Sequence, residues 1–148
     1  MERYEHKQVA YWMYWIAIGV LLFFMALSSA FGSPYLASAL SLFIALIFFA
    51  FSRLNTSVDA ASVQWAFGWG WPAGSLALAE IASVEITQTN LVEGFGIHWT
   101  IWHGWLWNVG GFQAVEMTKI NGSRVTLGTD DPAGLYDAVV SFRRTVSS

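Results

Sequence analysis

The chain has 148 residues, of which 55% are hydrophobic, 17% aromatic and only 11% charged, and its formal net charge is −3. Soluble domains carry roughly a quarter charged residues, so this length accommodates one small unit or a membrane element followed by one small domain. The absence of cysteine excludes disulfides, thiolate metal sites and cysteine nucleophiles, and the acidic balance supplies no basic stripe for a nucleic-acid partner.

Between Gln8 and Ser52 there is no Asp, Glu, Lys or Arg. A soluble protein of this size has too little other polar surface to cover such a stretch. The first apolar run, residues 9–30, is long enough at 1.5 Å per residue to cross about 30 Å of hydrocarbon. Tyr11, Trp12, Tyr14 and Trp15 cluster at its start, where amphipathic rings favour the headgroup level. Phe31-Gly32-Ser33-Pro34 then breaks the helix, because glycine tolerates unusual backbone angles and proline suits the first turn of a new helix. Residues 35–51 form a second apolar run near the short end of the spanning range. Residues 1–54 are therefore expected to form an α-helical transmembrane hairpin with spans over about 9–30 and 35–51.

Arg3 and Lys7 precede the first span and Arg53 follows the second, whereas the connecting turn is uncharged. The positive-inside rule then places both termini and the domain after the hairpin in the cytoplasm, at the inner (cell) membrane. A rival reading makes the first run a cleavable signal peptide with Ser28-Ser29-Ala30 as its small-residue site. The run is longer and more aromatic than a signal core, and a second span follows at once. Ala37, Ser38, Ala39, Ser41 and Ala45 on the second run suit close helix packing, within the hairpin or against another helix.

From Leu54 onward the pattern changes to short alternating segments separated by turns. Strands are expected at 62–67, 81–87, 96–102, 105–109, 114–120 and 123–127, with Gly68-Trp69-Gly70-Trp71-Pro72 as a turn. The Asn121-Gly122 pair suggests a type I′ hairpin. A helix closes the chain: Asp131 before Pro132 reads as an N-cap followed by a proline at the first helical position. Leu135, Ala138, Val139 and Phe142 recur on one face, and Arg143 and Arg144 complement the helix dipole in the last turn.

The stretches Gly94-Phe-Gly-Ile-His, Gly104-Trp-Leu-Trp-Asn-Val-Gly-Gly and Gly128-Thr-Asp-Asp-Pro-Ala-Gly-Leu resemble the bacterial pleckstrin-homology-like domains. Phe67-Gly-Trp-Gly and Glu80-Ile-Ala-Ser-Val-Glu fit the same pattern. The resemblance covers roughly residues 55–146. It implies an α+β domain over 55–148: a bent antiparallel sheet of about seven strands, a PH-like barrel, capped by a C-terminal helix. It brings no enzymatic activity and no cofactor.

His98 and His103, with Glu93 and Glu116 near in sequence, are the tempting metal ligands, but a zinc site needs three or four. On one unbroken strand 98 and 103 point to opposite faces, unless a turn involving Gly104 intervenes. Gly68, Gly70 and Gly74 lack the spacing of a nucleotide loop, no serine sits in Gly-x-Ser-x-Gly, and Glu80, Glu85 and Glu93 read as solvated strand carboxylates. The chain is therefore expected not to be an enzyme, and no catalytic, cofactor or metal residue is assigned.

Phosphoinositide binding needs grouped Lys and Arg. Neither occurs between Arg53 and Lys119, and residues 54–148 hold eight acidic against four basic residues, so it is not expected. Seven of nine tryptophans follow the hairpin. Trp99, Trp102, Trp105 and Trp107 either fill the core or form an exposed aromatic surface for a partner or the bilayer interface. They are the candidate interaction surface, beside an edge strand open to strand addition. The expected function is a membrane-anchored, non-catalytic interaction module that meets the bilayer through its hairpin and another membrane or cytoplasmic protein through its domain. The alternative is an accessory subunit of a transporter or envelope complex acting through the hairpin.

Overall fold

The computed structural model describes residues 3–31, 34–90 and 96–146. The order of elements is β1 (Tyr4–Val9), α1 (Tyr11–Phe31), α2 (Pro34–Phe51), β2 (Arg53–Val58), β3 (Ser62–Phe67), β4 (Ala73–Ala77), a 3₁₀ turn (Leu78–Glu80), β5 (Ile81–Gln88), β6 (Gly96–Thr100), β7 (Gly104–Asn108), β8 (Gln113–Lys119), β9 (Arg124–Gly128) and α3 (Pro132–Val146). The architecture is α+β: a four-stranded sheet ordered β1-β2-β3-β4, a five-stranded sheet ordered β5-β8-β9-β7-β6, and a C-terminal helix.

Residues 4–9, which the charge pattern alone marks only as the flank of a span, are a strand. Val9 pairs with Arg53 and Tyr4 with Val58, so β1 and β2 form one antiparallel ladder. The helices are thus inserted into a β-hairpin, and the Ala10 N–H donates to the Ser52 carbonyl (2.8 Å) where the two strands meet them. Val9 is extended because its backbone groups are taken by this ladder, and the first helix accordingly starts at Tyr11.

α1 spans about 30 Å and α2 about 27 Å at the α-helical rise. Tyr11–Ser28 is long and apolar enough to cross a membrane and only 6% of it is buried, whereas the uninterrupted apolar stretch described in α2, Ser38–Phe51, is shorter. The two helices pack on each other, leaving Trp15, Leu22, Phe23, Leu42 and Phe43 exposed on the outside of the pair. Gly32 and Ser33 of the expected turn lie outside the described residues.

The strands fall into two sheets, with nine strands among the described residues, rather than one bent sheet of seven. One pair, β7 with β9, is parallel, because Trp105–Trp107 run alongside Val125–Leu127. Alternation along each strand sends one face into a shared core. Leu54, Val58, Val63, Trp65, Phe67 and Leu76 come from the first sheet, and Val115, Met117, Val125 and Leu127 from the second. Leu135, Val139 and Phe142 of α3 close it.

The β8–β9 connection is not a type I′ turn. Ile120 and Asn121 keep negative φ and only Gly122 is left-handed, at +83°. The Gly122 N–H donates to the Lys119 carbonyl (2.9 Å) and the Lys119 N–H to the Ser123 carbonyl (2.8 Å). This is a three-residue loop ending in a left-handed glycine, held by the Asn121 side chain, which accepts from the Ser123 N–H.

α3 begins as the sequence indicates. Asp131 Oδ1 accepts from the Gly134 N–H (3.0 Å), and Oδ2 accepts from the Tyr4 hydroxyl (3.0 Å), tying β1 to the helix start. Burial, then the hydrogen bond to Asp131 and the charges of Asp131 and Asp130, push the Tyr4 phenol well above its usual pKa. In the β2–β3 turn the N–H groups of Ala61 and Ser62 donate to Asp59 and hold its carboxyl below the usual range.

Candidate interaction surface

The end of the domain that receives the helices is recognisable by its contacts. Gly68 lies against the last turn of α2, where an added Cβ would sit 2.3 Å from the Ala50 carbonyl oxygen. The Trp69 ring meets Phe49 of the same turn at 5.9 Å, Gly110 packs beside the Trp12 indole, and the Gln8 amide donates to the Gly110 carbonyl (2.7 Å). Around this base stand Tyr11, Trp12 and Trp15 from α1, Trp69 and Trp71 from the β3–β4 turn, and Phe112 after β7, all exposed; Trp69 is 65% and Trp71 78% accessible. Rings that are apolar in body and polar at one edge favour the boundary between hydrocarbon and water.

A second aromatic group lies elsewhere. The β6–β7 hairpin starts at the base, where Gly96 pairs with Asn108, and ends at Thr100 opposite Gly104, about 13 Å further along the strand. At this tip Trp99 faces Trp105, and Ile101 and Trp102 occupy the turn. Trp99, Ile101, Trp102 and Trp105 are 61%, 70%, 62% and 52% exposed.

Trp107, two residues from Trp105 on the same strand face, is instead packed into the core. Its ring meets Trp65 edge-on at 5.6 Å and Phe67 at 6.0 Å. Of the four tryptophans singled out in the sequence, three form the ridge and one anchors the hairpin. Within β6 it is Ile97, paired with Trp107, that shares the face of Trp99; Ile101 has left the strand for the turn. β6 is an edge of its sheet, so one side of its backbone has no strand partner among the described residues.

The turn at the tip is pinned to the sheet from its other face. His103 Nδ1 lies 2.8 Å from Glu116 Oε2, and Arg124 Nη1 lies 3.6 Å from Glu116 Oε1. The His103 N–H donates to Thr100 Oγ1 (2.9 Å), Thr126 Oγ1 donates to the His103 carbonyl (2.8 Å), and the Arg124 guanidinium donates to the Ile101 carbonyl (3.1 Å). Because Ile101–His103 turn rather than continue the strand, His98 and His103 lie on the same outer side of the sheet, where His98 is across from Leu106 and Leu106 from Thr126. His98 Nε2 is buried without a hydrogen-bond partner among the described residues. No group of three His, Asp or Glu is placed to hold a metal ion among those residues, and Glu93 lies outside them. The Glu116 contacts immobilise the tip, so the ridge is presented already ordered, which lowers the entropic cost of docking.

No family model, curated protein or solved structure matches this chain. The geometry is therefore the whole basis for a functional reading. The sequence marks the ridge by its density of tryptophan and the α1 part of the base ring by its aromatic cluster, but not the share of Trp69, Trp71 and Phe112 in that ring. Trp69 and Trp71 read only as part of a turn ending a strand, and what gives that turn its place at the base is the pairing of β3 with the strand leaving α2.

Proposed function

We propose that this chain is a membrane-anchored, non-catalytic interaction module of PH-like architecture. α1 and α2 both cross the bilayer, and the domain with both termini lies on the cytoplasmic side. The membrane assignment is supported by the outward-facing apolar side chains of both helices, which only lipid or other helices would cover favourably, and by the aromatic ring at the base. Arg3, Lys7 and Arg53 all fall at that base or beyond it, in keeping with a cytoplasmic orientation. The PH-like reading is supported by a strand-rich domain ending in one helix that packs on both sheets; the parallel β7–β9 pair and the strand before the helices depart from a simple meander.

The observation that carries the function is the ridge of Trp99, Ile101, Trp102 and Trp105. It lies a strand's length from the base, so the bilayer that covers the base ring leaves it open, and it adjoins β6, the edge strand of its sheet among the described residues. Large aromatic side chains held rigidly are the usual anchors of protein interfaces.

The test compares three chains in co-purification from detergent extracts: the wild type, the W99S/W102S/W105S variant, and a chain with residues 11–51 replaced by Asn-Gly. The proposal expects one partner protein with the first and third and its loss from the second. A partner that ignores the tryptophan changes but disappears with the helices would overturn this reading in favour of an accessory subunit acting through α1 and α2.

A further inference from the structure

We infer that the junction of the first sheet with the helices binds an anionic glycerophospholipid, its phosphate held between Lys7 and Arg53. This rests on the membrane reading above but goes beyond it, because it assigns a specific headgroup site. The expectation against anionic headgroups came from counting residues 54–148 alone. Pairing of β1 with β2 brings Lys7, which that count leaves out, beside Arg53, whereas Arg3 lies at the far end of the ladder and forms an ion pair with Glu5.

Lys7 is opposite Asn55, and Arg53 is two residues from Asn55 on the same face of the same strand. The two cations are thus diagonal neighbours, with backbones roughly 7–8 Å apart. Like charges at that spacing repel, and an anion seated between them removes the repulsion. Neither is neutralised by the protein: Lys7 and Arg53 form no ion pair with a carboxylate among the described residues.

Arg53 is held in place by other means. Its Nε donates to the Tyr14 hydroxyl (3.0 Å), and its guanidinium lies 4.8 Å over the Phe49 ring. Those contacts leave the two terminal nitrogens for a bidentate contact to phosphate oxygens.

The depth fits a lipid phosphate. Arg53 follows the last apolar residue of α2, Phe51, by two positions, where hydrocarbon gives way to headgroups. Beyond it, the outer face of β1–β4 forms an open groove of about 960 Å³ whose lining includes Arg3, Glu5, Lys7, Asn55, Gln64 and Ser75, with the Glu5 carboxylate taken up by Arg3 (3.2 Å). Its amides and hydroxyls suit a headgroup bearing hydroxyls, while the exposed helix faces lie ready for acyl chains. A free phosphate would satisfy the cations but use neither the groove nor the helices, so the site is assigned to lipid.

The experiment uses the full chain purified in non-ionic detergent. Phosphatidylglycerol, phosphatidylcholine with the same acyl chains, and inorganic phosphate are titrated separately, with bound lipid read by native mass spectrometry and unfolding by thermal melting. Phosphatidylglycerol is expected to bind and raise the melting temperature, phosphatidylcholine and phosphate to do neither. K7Q/R53Q should weaken phosphatidylglycerol binding about tenfold or more, the scale of losing a charge-assisted contact. K7R should retain binding, and R143Q/R144Q, far along α3, should leave it unchanged.

Equal binding of the two lipids, or a K7Q/R53Q chain that keeps its preference, overturns the proposal. A shift reproduced by inorganic phosphate overturns the lipid assignment. A separate outcome, release of the wild-type chain from membranes by alkaline carbonate, would remove the membrane reading itself.

Discussion

Gly68 shows how much one absent side chain decides here. Its N–H donates to the Arg53 carbonyl (3.0 Å) and its α-carbon faces the Ala50 carbonyl at a distance no Cβ can share. G68A must push β3 away from α2, separating Trp69 from Phe49. We expect a loss of about 1–3 kcal/mol, the usual range for overpacking a site that cannot yield, seen as a lower unfolding midpoint of the detergent-solubilised chain. Tyr4 predicts a pH effect of definite sign. Its raised pKa means that folding favours the neutral phenol, so its contribution is complete below the ordinary tyrosine range near pH 10 and lost as pH rises through the higher folded value. Stability measured from about pH 8 to 11 should fall more steeply in the wild type than in Y4F. Neither position is conspicuous in the sequence. Gly68 is one of 13 glycines, and Tyr4 acquires its role only from Asp131, far away along the chain.

The helix pair is an insertion in the β1–β2 hairpin, and this gives the element-level prediction. Ala10 and Ser52 are already hydrogen-bonded neighbours, so Asn-Gly in place of 11–51 supplies the two-residue turn that an antiparallel pair accepts. The resulting chain should be soluble without detergent and keep the strand-rich circular dichroism and cooperative unfolding of the domain, since the core draws mainly on the strands and α3. Aggregation or loss of cooperative unfolding would mean that Met13, Phe48 and Phe51, which touch the core, are indispensable to it. Strand β3 was legible in the sequence at its full length, because large apolar Val63, Trp65 and Phe67 alternate with Ser62, Gln64 and Ala66, a period of two. α3 was legible from Asp131-Pro132 and its apolar spacing. Strand β1 was not: Tyr-Glu-His-Lys-Gln-Val alternates weakly, and what makes it a strand is a partner beyond two helices. The type I′ expectation failed for a related reason. Asn-Gly permits that turn, but the register in which Lys119 meets Ser123 calls for one more residue in the loop.

In the molecule as a whole, two aromatic groups separate along the axis from helices to hairpin tip. Trp69 and Trp71 belong to the base, and Trp99, Trp102 and Trp105 to the ridge. In nanodiscs, single-tryptophan chains retaining Trp69 or Trp71 should be quenched by lipids brominated near the headgroup and shielded from aqueous iodide. Chains retaining Trp99 or Trp102 should show the reverse. Lipid quenching of the ridge would assign it to the bilayer and end its case as a protein-docking surface.

A helix long and apolar enough to cross a membrane, followed by a strand-rich domain closed by one helix, could be read from composition and order along the chain. Apolar runs and short periodicities are local properties, so they survive without knowledge of neighbours. Tertiary structure decided everything that depends on who meets whom. It split the strands into two sheets, packed Trp107 against the core while leaving Trp105 exposed on the same strand face, and turned His103 onto Glu116. It also carried Lys7 across from before the helices to stand beside Arg53 after them. Side-chain burial and charge are set by the surface that packs opposite, and sequence distance does not encode that surface.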